Sequence, residues 1–266
     1  FPGGTVRLRG DRSSQYLTAL LLVAGQGEAD LDVVITGDLV SRPYVEMTCQ
    51  VAARFGLPAA ASTSGYRAAR GAAQATAFAI EPDASAASYP FALAAAGGHR
   101  IAVPGLGTAS LQGDYAFVDV LERAGARVER SAQHTVVTGT GALVGIDVNM
   151  RHISDTVMSL AALAPLARGR TTIRDVANIR IKETDRLAAV VAELRRVGQQ
   201  VEHGDDWLAI DPQAVKPATV HCYSDHRMAM SFAILGCCAP GVVIADPDCT
   251  AKTYPGFFAD LAALRA

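Results

Sequence analysis

The stretch from Gly145 to Gly198, GIDVNMRHISDTVMSLAALAPLARGRTTIRDVANIRIKETDRLAAVVAELRRVG, decides the fold. It opens on a short strand-like run, Gly145–Asn149. It passes through the small polar residues Ser154 and Asp155 into an Ala- and Leu-rich segment that ends near Gly169. A polar residue ahead of an apolar run and a glycine behind it are the start and stop signals of a helix. A second strand, Thr171–Ile173, follows, and Lys182 marks the opening of a second helix. There Leu187, Val190, Val191, Leu194 and Val197 fall at i, i+3, i+4, i+7 and i+10, one apolar stripe that Gly198 stops.

Working outward, the same order of signals recurs every 70 residues. Gln15, Ser85, Asp155 and Asp225 are successively 70 apart. Each follows a strand-like run (Thr5–Arg9, Ala77–Glu81, Gly145–Asn149, Ala218–Tyr223) and precedes an apolar stretch ending near Gly25, Gly97, Gly169 or Gly236. Arg42, Gln112, Lys182 and Lys252 repeat at the same spacing of 70, each after a second short strand (Val33–Thr36, Ile101–Val103, Thr171–Ile173, Val242–Ala245) and each expected to open a helix. Gly56 and Gly125 stop that helix in the first two copies. Hairpin-like pairs of strands close the copies around Leu57–Ile80, Ala126–Gly145 and Gln199–Val220, and the fourth copy has no such pair. The expectation is an α/β (α+β) fold built from βαβαββ repeats of 70 residues, with a boundary that separates residues 1–82 from 83–266.

Composition narrows the function. The 266 residues are 50% hydrophobic and 19% charged, which excludes a disordered chain. A net charge of −2 offers no basic field to nucleic acid. No apolar run reaches the roughly 18 residues of a membrane span, and no signal peptide is visible. Five cysteines (Cys49, Cys222, Cys237, Cys238, Cys249) without CxxC spacing read as buried thiols in a reducing cytoplasm. The six histidines form no spaced set, so no metal is expected. No nucleotide-loop motif and no other cofactor signature occurs. The chain starts at Phe1, inside what reads as a Gly-Gly turn and a strand, so a fragment is expected. Of 24 basic residues only Lys182, Lys216 and Lys252 are lysine, which singles those positions out.

Equivalent positions of a repeat occupy equivalent places, so the helix starts are expected to point into one region. Helix N-termini carry unsatisfied N–H groups and partial positive charge, which makes such a region an anion site. Ser13, Ser14, Ser41, Arg42, Lys182, Arg186, Arg227 and Lys252 lie there, and cations at helix starts are disfavoured unless an anion compensates. A multiply anionic substrate, phosphate or carboxylate, follows. Asp155, Glu183 and Asp225 sit among these cations and are expected to be held ionised, as base or proton shuttle or as helix caps. His226, beside Arg227, reads either as a group that tunes a proton transfer near neutral pH or as a satisfied core residue.

Ser13-Ser14-Gln15, Ser41-Arg42-Pro43-Tyr44, Lys182-Glu183-Thr184-Asp185-Arg186, Asp225-His226-Arg227-Met228-Ala229-Met230 and Ala251-Lys252-Thr253 resemble, in order along the whole chain, the motifs of the 5-enolpyruvylshikimate-3-phosphate synthase family. The resemblance implies the enolpyruvyl transferase fold, an inside-out α/β barrel of two domains with three such repeats each and the active site in the cleft between them. It makes residues 1–82 the last repeat of the upper domain and 83–266 the lower domain without its N-terminal closing segment. It implies transfer of the enolpyruvyl group of phosphoenolpyruvate to the 5-hydroxyl of shikimate 3-phosphate, with release of phosphate, in aromatic amino acid biosynthesis. It assigns Ser13, Ser14 and Ser41 to the shikimate phosphate, and Gln15, Tyr44 and Asn178 to the shikimate ring and its substituents. Asp155 becomes the base for the 5-hydroxyl with Lys182 beside it, and Glu183 handles the proton at the methylene carbon. Arg186 and Arg227 grip the phosphoenolpyruvate carboxylate, Lys252 faces its phosphate, and His226 assists.

The sequence departs from the family at Arg151-His152-Ile153-Ser154-Asp155, where asparagine-histidine-isoleucine-proline-aspartate is common, and at Ile179, where tryptophan is common. The resemblance further implies a cytoplasmic monomer with no cofactor, and little turnover by these 266 residues alone, because the family's other substrate-gripping lysine and arginines precede them. Two alternatives stay open: a UDP-sugar enolpyruvyl transferase of the same fold, against which the Ser-Ser-Gln and Lys-Glu-Thr-Asp-Arg sets argue, and a non-catalytic anion-binding remnant.

Overall fold

The computed structural model describes residues 1–264. It divides into two compact units, Phe1–Glu81 with Leu111–Gly113, and Pro82–Ser110 with Asp114–Ala266.

The first unit is one complete repeat: β1 (Gly4–Arg9), α1 (Gln15–Val23), β2 (Leu31–Thr36), α2 (Arg42–Arg54), β3 (Ala59–Ser62) and β4 (Gly65–Ala68). β1 and β2 are parallel, Gly4 opposite Leu31 through Arg9 opposite Thr36, and the hairpin adds antiparallel to give the sheet order β1-β2-β4-β3. Parallel strands deliver both following helices from the same, carboxyl edge of the sheet. Leu17, Leu21, Val33, Val45 and Tyr66 form its core.

The second unit holds three copies. The first contributes α3 (Ala84–Gly97), β5 (Arg100–Pro104), α4 (Phe117–Arg123), β6 (Arg127–Ser131) and β7 (His134–Thr138). The second contributes β8 (Asp147–Asn149), α5 (Val157–Leu163), β9 (Thr171–Arg174), α6 (Arg186–Arg196), β10 (Gln200–His203) and β11 (Leu208–Asp211). The third contributes β12 (Ala218–Val220), α7 (His226–Cys238), β13 (Val242–Ile244) and α8 (Phe257–Ala263). The sheet β8-β9-β11-β10 repeats the order of the first unit, with β8 and β9 parallel. β12 and β13 are again parallel.

Helices α3, α5 and α7, each the first helix of its copy, pack on one another and are buried along most of their length. Their alanines and serines permit this close approach. Ser88 on α3 and Ser159 on α5 pair their hydroxyls at 3.0 Å, and Tyr89, Phe91 and Phe232 fill the remaining volume.

Three expectations fail locally. Ala77–Glu81 forms no ladder among the described residues, and Ile80 there is 88% exposed. An apolar run becomes a strand only where a sheet edge meets it. Gly236 does not stop α7, which runs through it to Cys238. A Cβ at Gly236 would come 3.1 Å from the Val242 carbonyl, so this glycine serves close packing. Arg42 opens α2, but Gln112, Lys182 and Lys252 precede α4, α6 and α8, lying in or beside the 3-10 turns Gly113–Ala116, Ala177–Ile181 and Pro247–Lys252. The start of α6 is set instead by Asp185, whose side chain accepts from the Ala188 N–H at 3.0 Å.

Candidate active site

In the second unit four loops carry charged residues at the carboxyl ends of the parallel pairs β8–β9 and β12–β13, and their side chains meet. Arg186, the first residue of α6, is at the centre and only 1% exposed. Its Nε donates to Asp225 Oδ2 at 2.7 Å, its Nη1 to Asp155 Oδ1 at 3.1 Å and its Nη2 to Glu183 Oε2 at 2.7 Å. A planar guanidinium with donors in a fixed fork is suited to three carboxylates at once. Asp155 also accepts from Arg227 Nη2 at 2.9 Å and has Lys182 Nζ at 3.7 Å. Glu183 also accepts from Lys252 Nζ at 2.6 Å.

Four cations (Lys182, Arg186, Arg227, Lys252) therefore face three carboxylates (Asp155, Glu183, Asp225), an excess of one positive charge. Burial would raise the Asp155 carboxyl pKa, but Arg227, Lys182, Arg186 and His226 outweigh it and hold it at about 2. For Glu183 burial again pushes upward, and the Lys252 hydrogen bond with the Arg186 charge brings it down to about 2. Both are ionised at neutral pH.

The Lys-Glu-Thr-Asp-Arg run divides its labour. Lys182 and Glu183 enter the cluster, Asp185 caps α6 and pairs with Arg180 at 2.8 Å, and Arg186 organises the acids. In the Asp-His-Arg run, Asp225 caps α7 by accepting from the Arg227 N–H at 2.9 Å while also holding Arg186. Asp155 lies in a 3-10 turn ahead of α5, and its carboxylate is committed to cations. His226 is buried; burial first, and Arg227 second, lower its pKa, so it is neutral at pH 7. Asn178 is buried and donates to Ser154 Oγ at 2.9 Å, which ties its loop to the turn that carries Asp155. Arg151 donates to Asp175 Oδ1 at 3.0 Å.

Among the residues expected in the first unit, Ser14 and Ser41 are buried immediately ahead of α1 and α2, and neither makes a side-chain cap hydrogen bond. Ser13 Oγ accepts from the Gln15 N–H at 3.2 Å. Ser41 takes a left-handed φ of 52°, and Tyr44 is in the first turn of α2. Both helices start from one sheet edge and pack together through Thr18 and Thr48, whose hydroxyls are 3.1 Å apart.

Tyr89 went unnoticed in the sequence. It is buried on α3, its hydroxyl lies 3.5 Å from Arg227 Nη1, and its ring meets Phe257 edge-on at 5.6 Å. Burial raises its phenol pKa to about 12. A lone tyrosine in an alanine-rich helix is the only sequence signal it carries.

The model of the family described as EPSP synthase (3-phosphoshikimate 1-carboxyvinyltransferase) matches residues 1–261. The chain belongs to the EPSP synthase family. Among curated EPSP synthase relatives, each named 3-phosphoshikimate 1-carboxyvinyltransferase, that of Nostoc punctiforme is 46% identical over 97% of this chain and 61% of its own length. That of a Shewanella species is 43% identical over 99% and 63%. The chloroplastic enzyme of Brassica napus is 45% identical over 97% and 52%. The chain thus spans about three fifths of the length of the EPSP synthase relatives it matches. The solved EPSP synthase of Acinetobacter baumannii superposes with a TM-score of 0.78 at 21% identity, over 99% of this chain and 62% of that one. The enolpyruvyl transferase NikO of Streptomyces tendae gives 0.77 at 19%, over 100% and 64%. These confirm the enolpyruvyl transferase fold. Among the described residues no group of His, Cys, Asp and Glu could hold a metal ion, and no helix is long and apolar enough to cross a membrane.

Proposed function

We propose that this chain supplies part of the machinery that transfers the enolpyruvyl group of phosphoenolpyruvate to the 5-hydroxyl of shikimate 3-phosphate, the reaction named for its relatives. The observation that carries the proposal is the cluster of four cations and three carboxylates around buried Arg186. An excess of positive charge binds anionic substrates, and the ionised acids beside it accept protons.

In this reading Asp155, kept charged by Arg227, Lys182 and Arg186, takes the proton of the 5-hydroxyl as its oxygen bonds to the central carbon of phosphoenolpyruvate. A proton reaches the methylene carbon, giving a methyl group and a tetrahedral intermediate. Loss of phosphate and of one methyl proton restores the double bond. Glu183 serves the methylene carbon. Its acidity depends on the Lys252 hydrogen bond. A substrate phosphate drawing Lys252 away removes the strongest cause that lowers the Glu183 pKa, so that it rises against the remaining pull of Arg186 and Glu183 can carry the proton. Arg227, Arg186 and Lys252 hold the phosphoenolpyruvate anion, and His226 lies beside Arg227. Ser13, Ser14, Ser41, Gln15 and Tyr44 of the first unit, and Asn178 of the second, are each proposed as contacts of shikimate 3-phosphate. A cytoplasmic monomer without cofactor goes with this reading.

The test measures phosphate release from the two substrates. It uses this chain alone and a chimaera in which it replaces the matching 61% of the Nostoc punctiforme relative. The chimaera turns over, and its Asp155→Ala and Glu183→Ala variants keep shikimate 3-phosphate binding and lose rate. A folded chimaera without turnover, or full rates in both variants, rejects the reading.

A further inference from the structure

Glu193 is a buried carboxylate that the reaction does not use. It is 0% exposed, on α6 seven residues after Arg186, and so on the same face of that helix. Its Oε1 accepts from the Tyr223 hydroxyl at 2.7 Å, and its Oε2 from the His221 N–H at 3.0 Å and from Arg196 Nε at 2.8 Å.

His221 and Tyr223 lead into Asp225. Tyr223 and Ser224 have left-handed φ angles of 56° and 55°, a conformation that costs non-glycine residues energy. They are the centre of a turn closed by the Asp225 N–H on the Cys222 carbonyl at 2.9 Å. Two successive left-handed residues without a glycine persist only when surrounding contacts hold them. Those contacts come from α6 at both ends: Glu193 holds the entry at His221 and Tyr223, and Arg186 holds the exit at Asp225. From Asp225 the chain continues directly into His226 and Arg227, and the rotation of this turn sets where the Arg227 guanidinium meets Asp155.

We infer that Glu193 is a positioning residue, a buried clamp on the strained Tyr223-Ser224 turn that aims Asp225, His226 and Arg227 into the charged cluster. It touches none of the reacting atoms. Its effect on rate rests on the functional reading above, while its effect on the turn does not.

The experiment has two readouts. Backbone hydrogen exchange from Tyr223 to Arg227 is measured on this chain, and phosphate release is measured on the chimaera. Glu193→Gln leaves only one acceptor oxygen for three donors, and Tyr223→Phe removes one bond at an exposed ring while keeping the carboxylate. Losing one such bond should speed exchange at these amides about tenfold, and Tyr223→Phe decides alone if Glu193→Gln does not fold. Both variants should lower kcat/KM for phosphoenolpyruvate about tenfold and leave KM for shikimate 3-phosphate unchanged. Phe117→Leu, a destabilising change in the core on α4, should lower thermal stability without moving either readout. Exchange in Tyr223→Phe equal to that of the parent, or faster exchange with an unchanged kcat/KM, overturns the assignment. A parent chimaera that releases no phosphate removes the enzymatic reading instead, and exchange still decides whether Glu193 clamps the turn.

Discussion

Replacing Asp155 with asparagine preserves the shape of the side chain and removes its charge from among Arg227, Arg186 and Lys182. Folding lowers the Asp155 pKa from 3.8 to about 2. The difference, about 1.8 units at about 1.36 kcal/mol per unit, makes the carboxylate worth about 2 kcal/mol at neutral pH. With a side chain only 15% exposed, solvent screening takes little of this away. A carboxyl whose pKa is depressed by folding contributes fully above its unfolded value and loses that contribution as pH falls through its folded value. The advantage of the parent over Asp155→Asn is therefore complete at pH 7, about half gone near pH 3 and absent below about pH 2. Urea unfolding of both proteins at pH 7, 5 and 3 measures it, and the gap should narrow by about 1 kcal/mol between the first and last. A gap that does not change with pH, or a variant more stable than the parent at pH 7, would show that the surrounding cations do not hold Asp155 ionised.

Other outcomes follow from the same contacts. Asp185→Ala removes the cap of α6 and the Arg180 pair and should cost about 1 kcal/mol in thermal unfolding, whereas Glu183→Ala, which strips Arg186 and Lys252 of a carboxylate whose pKa is held at about 2, should cost rate as well as stability. The imidazole of His226 should titrate below 6.5 in a nitrogen-15 NMR experiment, because burial and Arg227 both disfavour its charge; a midpoint at or above that value contradicts the burial. In Tyr89→Phe the ring contact with Phe257 survives and the contact with Arg227 is lost. Stability should fall by no more than about 1 kcal/mol, and the ultraviolet titration step missing from the variant should lie near pH 12.

The repeat was legible because each copy writes its own strands, polar starts and glycine stops within 70 consecutive residues, and these signals are local. The carriers of charge were legible too, since Lys182 and Lys252, and Asp155 and Asp225, stand at equivalent points of that period, with Glu183, Arg186 and Arg227 close beside them in sequence. Helix starts were less so. A cap is a competition among neighbouring polar residues, and Asp185 won over Lys182 because its carboxylate reaches the Ala188 N–H.

Periodicity in one chain thus established the kind of fold and the placing of charged residues in its loops. Pairing belonged to three dimensions. Arg186 lies 39 residues from Asp225, and Arg227 lies 72 from Asp155. Nothing in local sequence states that they touch. Nor does it state that Glu193 faces a turn 30 residues away, or that Tyr89 on another copy's helix reaches Arg227. Those contacts arise when parallel strands bring loops from separate copies to one edge and the packing of α3, α5 and α7 sets the distance between them.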